Sequence, residues 1–202
     1  DRPVLLLVDQ RTNMFFGSRR AMKSVAAAEA AALVAWRVLA DGDRVGAVVF
    51  GDEDFSERRP LRSRNAVLDL LGEVARPNRL PSADARPRAG APQLNAALQR
   101  AARLAQRDHL VIVISDFDGH DALTRELMTR LAAHNDVLAV VVHDPFLSEL
   151  PPAGELVVSD GSLQVELGFG RDAVRRGIAE FVDSRSRELF EWRHLIGVPV
   201  LP

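Results

Sequence analysis

The chain has 202 residues, of which 47% are hydrophobic and 27% charged, and this usage excludes intrinsic disorder. Its length suits a single domain over residues 1–202, with a core large enough to fold unaided. A formal net charge of −2 gives no general attraction to nucleic acid or anionic lipid, and the absence of cysteine excludes disulfide bonds and thiolate metal sites.

The first predicted strand covers residues 3–9. An apolar run with almost no polar break is typical of a strand buried on both faces, as in a parallel sheet. A polar loop follows, and residues 18–40 have the apolar spacing of a helix. Ser18 is its predicted N-cap and Gly42 its predicted C-terminal cap.

The middle of the chain continues to alternate between strand and helix. Residues 44–50 are predicted as a second buried strand and residues 55–61 as an edge strand. Helices are predicted over 63–75 and 93–106. The proline-rich stretch between them, 76–92, is predicted as a loop long enough to carry a function.

Residues 109–116 are the strongest strand signal in the chain. The remaining predicted elements are a helix (121–134), a strand (136–143), two hairpin arms (155–158 and 163–167) around a turn at Asp160-Gly161, a helix (171–195) and a tail (198–201) that adds an edge strand. Strands that alternate with helices imply right-handed crossovers and a mainly parallel, doubly wound α/β sheet.

Two of the predicted strands end on a carboxylate, Asp9 and Asp116. The carboxyl ends of parallel strands share one edge of the sheet, where ligands collect in open α/β folds. Asn13, in the loop after Asp9, can extend to the same place. Mg²⁺ prefers such oxygen ligands, so these three side chains could form a weak cation site.

Three segments carry a resemblance to a known family: Val8-Asp9-x-x-x-Asn13-Met14 with Phe16-Gly17-Ser18, Gly42-Asp43-Arg44-Val45-Gly46 leading to Phe50-Gly51, and Ile114-Ser115-Asp116-Phe117. With them the chain resembles a von Willebrand factor A-like domain. In particular, it is similar to the bacterial domain of unknown function 58 family, which often accompanies MoxR-type AAA+ ATPases. The resemblance implies a Rossmann-like three-layer sandwich with a central, mostly parallel sheet.

The resemblance also implies where a metal-ion-dependent adhesion site would lie. In the family, this site uses an Asp-x-Ser-x-Ser loop, a later Thr and an Asp after the fourth buried strand. Carried over by position, the first Asp is Asp9 and the last is Asp116, whereas the two Ser positions hold Arg11 and Asn13.

The Thr position falls at Pro92, or at Ala91 if the loop shifts, and neither side chain offers an oxygen. Three of the five ligands are thus changed, so we expect no Mg²⁺ and no other cofactor in this site. A guanidinium is permanently charged and binds carboxylates. Arg11, placed between Asp9 and Asp116, would supply the charge that a metal supplies in relatives.

We therefore expect a protein-interaction module with a degenerate adhesion site rather than an enzyme. The predicted partner-binding residues are Asp9, Arg11, Asn13 and Asp116. Arg11 is expected to meet a partner's acidic group directly, beside Asn13 and the 76–92 loop. On this hypothesis Arg11→Ala weakens partner capture without unfolding. The resemblance implies a MoxR-type AAA+ ATPase, or another assembly, as the partner.

Three alternatives stay open. Asp9, Arg11 and Asp116 can be a buried ion-pair network left from a dead site. Asp9, Asn13 and Asp116 can instead bind Mg²⁺, with water replacing the missing hydroxyl groups. A hydrolase built on Ser115 would need a base that the sequence does not name, and no Gly-x-Ser-x-Gly motif is present.

Other patterns are weaker. No Gly-x-Gly-x-x-Gly or Walker motif supports nucleotide binding, and the five histidines lack zinc-like spacing. His143-Asp144 closes a strand at the ligand edge and is a candidate to line the cleft. The arginine run at 58–64 could bind phosphate, but a solvated, acid-paired face is the preferred interpretation because aromatic residues do not alternate with it.

No apolar run has the roughly 18–20 residues that span a bilayer, and no signal peptide is present. A cytoplasmic location suits the absence of cysteine. Because the chain begins at Asp1, just before a core strand, we expect a domain cut from a longer chain, with any membrane tether upstream.

Overall fold

The computed structural model of the chain describes residues 2–79, 91–145, 155–159, 164–168 and 187–202. Its strands are β1 (Val4–Asp9), β2 (Val45–Phe50), β3 (Phe55–Leu61), β4 (Leu110–Ser115), β5 (Asp136–Val141), β6 (Glu155–Ser159), β7 (Gln164–Gly168) and β8 (Val200–Leu201). Its helices are α1 (Lys23–Ala40), α2 (Arg64–Arg79), α3 (Ala91–Leu104) and α4 (Ala122–Ala132). Residues 187–195 are also helical and form α5.

Six strands form one sheet in the order β3-β2-β1-β4-β5-β8. Within it, β3 lies antiparallel to β2 at one edge, and the other strands run parallel to one another. β6 and β7 pair as an antiparallel hairpin, with Val158 opposite Val165. The mostly parallel sheet with its helices confirms the predicted fold class, and β8 confirms the predicted edge strand in the tail.

The central strands supply a core on each face of the sheet, because successive side chains of a strand point to opposite faces. Leu5 and Leu7 belong to a core that also takes side chains from α3, α4 and α5. Leu6 and Val8 belong to the opposite core, with side chains from α1 and α2. Helices therefore cover both faces, which makes the three layers of the sandwich.

Helix α1 begins later than predicted, at Lys23 instead of Ser18. The hydroxyl and backbone N–H of Ser18 bind Asp144 at 2.5 and 2.7 Å, so this serine is engaged across the sheet edge and does not cap the helix. Met22 is the N-cap residue, without a side-chain hydrogen bond. Residues 16–22 consequently form a loop at the carboxyl edge of the sheet.

The predicted loop at 76–92 is bounded by helix at both ends. Helix α2 continues to Arg79 with Pro77 inside it, although a proline within a helix lacks the N–H that its turn would use. Helix α3 begins at Ala91. Among the helices described, none combines the length and apolarity needed to cross a membrane. Outside the described residues lie positions 80–90, the predicted turn at Asp160-Gly161 and residues 171–186 of the predicted last helix.

Candidate functional site

The candidate site begins where β1 ends, with an ion pair between Asp9 and Arg11. The Arg11 Nε donates to Asp9 Oδ1 and Oδ2 at 3.0 and 3.1 Å, and Nη2 donates to Oδ2 at 2.7 Å. The Arg11 backbone N–H also donates to Asp9 Oδ1 at 3.0 Å. Several bonds between a guanidinium and one carboxylate fix both position and orientation.

The same guanidinium lies beside the second strand-end carboxylate. Arg11 Nη2 is 3.6 Å from Asp116 Oδ1, and Nη1 donates to the Asp118 carbonyl at 3.1 Å. The ring of Phe50 is 5.7 Å from the guanidinium carbon. The structure thus places Arg11 between Asp9 and Asp116, joining the end of β1 to the end of β4.

This ion pair is fully enclosed by the fold. The side chain of Asp9 is 0% exposed and that of Arg11 is 2% exposed. The structure therefore does not present the Arg11 donors to a partner, which differs from the expected direct contact. Arg11 instead holds the two aspartates in position from the buried side of the site.

Ser115 continues this buried network at the end of β4. Its hydroxyl donates to Asp9 Oδ2 at 2.6 Å and accepts the Phe117 backbone N–H at 2.9 Å. Phe117 has a positive φ of 53°, which is uncommon for a residue with a side chain. The Ser115 hydroxyl therefore connects the strained turn after β4 to the Asp9 carboxylate.

Asp116 is held by several donors around its carboxylate. Asn13 Nδ2 lies 2.9 and 2.8 Å from its two oxygens, and the Asp118 backbone N–H donates at 2.8 Å. Lys23 Nζ lies 2.5 Å from Oδ2. Asp116 is 9% exposed and Lys23 is 15% exposed. These side chains form the half-buried outer layer of the site.

Sequence reasoning missed Lys23 as a member of the site. It stands at the first position of α1, where a cation meets the positive end of the helix dipole. The ion pair with Asp116 compensates this unfavourable placement. The available signal was composition, because Lys23 is the only lysine of the chain.

Opposing influences act on the ionisation of the buried pair. The pKa of the Asp9 carboxyl is raised, because burial and the nearby charge of Asp116 outweigh the lowering effect of the Arg11 charge and hydrogen bonds. Burial acts to lower the pKa of Arg11, but the neighbouring carboxylates outweigh it and raise that pKa above its ordinary value. Arg11 is therefore permanently charged, and without it the buried carboxyl would favour its neutral form.

A second polar cluster braces the loop after β1, and the sequence did not predict it. The backbone N–H of Thr12 donates to Asp52 Oδ2 at 3.1 Å, and its hydroxyl donates to the same carboxylate. Gln93 Nε2 donates to the Asp52 carbonyl at 2.8 Å. Pro92, to which the resemblance assigns the Thr position, lies exposed in the first turn of α3. This end of α3 therefore supports the loop through Gln93.

The residues present do not fit a divalent cation. Both oxygens of Asp9 accept hydrogen bonds from Arg11, and the oxygens of Asp116 face Asn13 and Lys23. A metal ion would stand against two fixed positive charges. No group of three or more His, Asp or Glu side chains within the described ranges is arranged to hold a metal.

The weaker sequence candidates also have definite places. Ser115 is fully buried and its hydroxyl is bound to Asp9, so it is not accessible as a nucleophile. Asp144 binds the Ser18 loop. In the arginine run, Arg58 pairs with Glu73 at 3.0 Å and Arg62 donates to the Gly42 carbonyl at 3.1 Å. Both contacts agree with the solvated face.

Two apolar side chains stand exposed next to the site. Phe16 is 39% exposed and Met22 is 48% exposed, at the two ends of the loop before α1. Gly17 permits the loop to fold back, because a Cβ there would lie 2.3 Å from the Ala21 carbonyl oxygen. The loop, with Asn13, Asp116 and Lys23 beside it, forms a surface that combines apolar and charged groups.

Comparison with known protein families shows which family this chain belongs to. Residues 1–188 match the family described as "Protein of unknown function DUF58". The chain is a member of the DUF58 family. Curated relatives of this DUF58 chain include uncharacterized proteins of Mycobacterium bovis and Mycobacterium tuberculosis, each 28% identical over 197 residues. The match covers 97% of this chain and 60% of each relative, so the chain spans less than two thirds of their length.

Solved structures show the same fold. An aerotolerance-related membrane protein from Bacteroides fragilis superposes with a TM-score of 0.52 at 16% identity, covering 89% of the DUF58 chain and 87% of the other. The conserved hypothetical protein BatB from Bacteroides thetaiotaomicron gives 0.51 at 17% identity, covering 89% and 86%. The manganese-loaded TRAP protein of Plasmodium vivax gives 0.50 at 14% identity, covering 70% and 57%. These likenesses support a von Willebrand A-like fold for this chain.

Proposed function

We propose that this DUF58 chain is a protein-interaction module whose adhesion site is degenerate and works without a divalent cation. The observation that carries the proposal is the position of the Arg11 guanidinium, 2.7 Å from Asp9 and 3.6 Å from Asp116. Arg11 and Lys23 balance the two carboxylates, so the site needs no metal ion to be electrically neutral. The manganese named for the TRAP protein is a property of that protein.

The binding surface consists of two parts with different roles. Asp9 and Arg11 lie inside and hold the geometry, whereas Asn13, Lys23 and Asp116 offer polar contacts at the edge. Phe16 and Met22 are exposed and supply the apolar anchors that dominate binding at protein interfaces. This division revises the direct contact expected for Arg11 and keeps the predicted residues in one site.

The partner is proposed from the family resemblance. We propose a MoxR-type AAA+ ATPase, because such ATPases accompany this family. We also propose that the whole protein is tethered to a membrane upstream of this chain; the description of the Bacteroides fragilis neighbour as a membrane protein supports this. An interaction role rather than catalysis suits the burial of Ser115 and Asp9, since neither side chain is accessible to a substrate.

The test is direct binding of a purified MoxR-type ATPase from the same organism to the immobilised chain, measured by biolayer interferometry with EDTA and without nucleotide. The variant Phe16→Ser with Met22→Ser should weaken binding at least about tenfold, because it removes both apolar anchors. Met22 is the N-cap of α1, where serine is favoured, so this change does not threaten the helix.

Leu33→Ser is the matched control, since Leu33 is 74% exposed on α1 but far along the helix from the site. It should bind as the wild type does. Undetectable binding of the ATPase to the wild-type chain would contradict the proposal that a MoxR-type ATPase is the partner. Equal binding by the double variant and the control would overturn the site.

A further inference from the structure

A second cleft lies at the opposite edge of the sheet, below the starts of β1 and β4. Its volume is 760 Å³. A neighbouring cavity of 550 Å³ shares Arg107 and Asp108 with it, so the two lie side by side along this edge and together are called the groove. Nothing in the interaction site proposed above uses this groove, which is separated from it by the length of the central strands.

The larger cleft concentrates positive charge in a chain whose net charge is negative. Four arginines line it against a single aspartate, and they come from separate parts of the chain: Arg44, Arg59, Arg103 and Arg107. The formal net charge of the whole chain is −2. Cationic side chains that converge from different elements create a local positive field within a cleft.

The end of helix α3 explains only part of this charge. Arg103 lies in the last turn of α3, where a cation is favoured by the helix dipole, and it also lies 3.9 Å from Glu57. Arg59 belongs to β3 and is exposed, and Arg107 is exposed in the segment before β4. Because neither Arg59 nor Arg107 lies within a helix, an interaction with a helix dipole does not explain why they are in the cleft.

We propose that this groove binds an acidic, extended segment of a protein partner. Arginine forks bind carboxylates with two parallel hydrogen bonds, and arginines spaced along a groove suit successive acidic side chains. The volume exceeds what a single phosphate or carboxylate group would fill. Single-stranded nucleic acid is disfavoured because no Phe, Tyr or Trp is among the lining residues, and such side chains are the usual platforms on which its bases stack.

The experiment is fluorescence anisotropy of a fluorescein-labelled oligoglutamate peptide titrated with the whole 202-residue chain at low and high salt. The wild-type chain should bind it, with an affinity that falls as salt rises. The variant Arg59→Ser with Arg107→Ser should bind at least about tenfold more weakly, because two charged contacts are lost. Both residues are exposed, and thermal melting confirms that the variant is folded.

The control variant Arg125→Ser with Arg193→Ser removes the same charge from exposed sites on α4 and α5, and it should bind like the wild type. Equal weakening in both variants would overturn the groove and leave only a diffuse charge effect. No binding by the wild-type chain would overturn the proposal. Tighter binding of a single-stranded DNA oligonucleotide or of phosphatidylglycerol vesicles would overturn the acidic segment as the occupant.

Discussion

Asp9 and Arg11 depend on each other because both are buried and each neutralises the other. Removing one partner of a buried ion pair typically costs about 3–5 kcal/mol, whereas replacing both with apolar groups is often close to neutral. We expect Arg11→Met to lower the free energy of unfolding by about that amount. The double variant Asp9→Val with Arg11→Met should lose less, and urea unfolding followed by circular dichroism measures both.

This prediction departs from the expectation that Arg11→Ala weakens partner capture without unfolding, because that variant leaves the buried Asp9 carboxyl without its counter-charge. The comparison is Arg37→Met, which breaks the exposed pair between Arg37 and Asp41 and should change stability by less than about 0.5 kcal/mol. The free energy of unfolding lost by the double variant is compared with the sum of the losses in Asp9→Val and Arg11→Met alone. If the two were equal, Asp9 and Arg11 would not be coupled as described.

The site could be predicted from sequence only where chain geometry determines it. Asp9 and Asp116 meet because both end parallel strands, and Asn13 follows from its short distance along the chain. Lys23 and Ser115 could not be assigned, since their roles depend on where α1 begins and on the turn after β4. Arg11 was expected between the aspartates, but its depth of burial follows from packing around the loop.

At the level of elements, helix α4 begins with a reciprocal cap. Asp121 accepts the Thr124 backbone N–H at 2.9 Å, and the Thr124 hydroxyl accepts the Asp121 backbone N–H at 3.0 Å. Asn95 of α3 donates to the same carboxylate at 3.1 Å, which joins the two helices. These hydrogen bonds, led by the one from Thr124, lower the pKa of Asp121.

We expect Asp121→Ala to reduce the free energy of unfolding by about 1 kcal/mol at neutral pH, because it removes the cap. A lowered pKa in the folded state means that the stabilisation is complete above the unfolded value of 3.8 and is lost as pH falls through the folded value. Urea unfolding at neutral and at acidic pH should therefore show a smaller loss in acid.

Asp121→Asn is the control, since asparagine caps a helix but does not titrate. The stability difference between wild type and this variant should shrink in acid. A difference that stays constant with pH would show that the Asp121 charge does not contribute.

Element positions were predictable where the apolar pattern was strong and less so at their ends. The buried strands β1, β2 and β4 have continuous apolar runs, which solvent-facing segments rarely show. The start of α1 was wrong because Ser18 binds Asp144, a contact across the sheet edge that local sequence does not reveal. Helix α2 passes its predicted end because it includes Pro77, although a proline inside a helix usually ends or kinks it.

At the level of the whole molecule, the proposal that the site works without a metal ion can be tested by thermal unfolding. An ion that binds only the folded state raises the melting temperature by mass action. We expect the melting temperature of the chain to be the same in Mg²⁺, Mn²⁺ and EDTA, because Arg11 and Lys23 already neutralise the aspartates. Differential scanning calorimetry measures this.

The matched variant is Arg11→Ser with Lys23→Ser, which removes both cations and places a hydroxyl at position 11 of the loop. If this variant folds, Mn²⁺ should raise its melting temperature although it does not raise that of the wild type. A rise of equal size in the wild type would favour the metal-binding alternative based on Asp9, Asn13 and Asp116.

The single lysine of the chain has a practical consequence. Its amine is held against Asp116 and its side chain is 15% exposed, so amine-selective reagents meet only one side-chain target in these 202 residues. Acylation of that amine requires the ion pair to open first. The acylation rate of Lys23 therefore reports how often this ion pair opens. A partner bound over the carboxyl edge of the sheet should lower that rate.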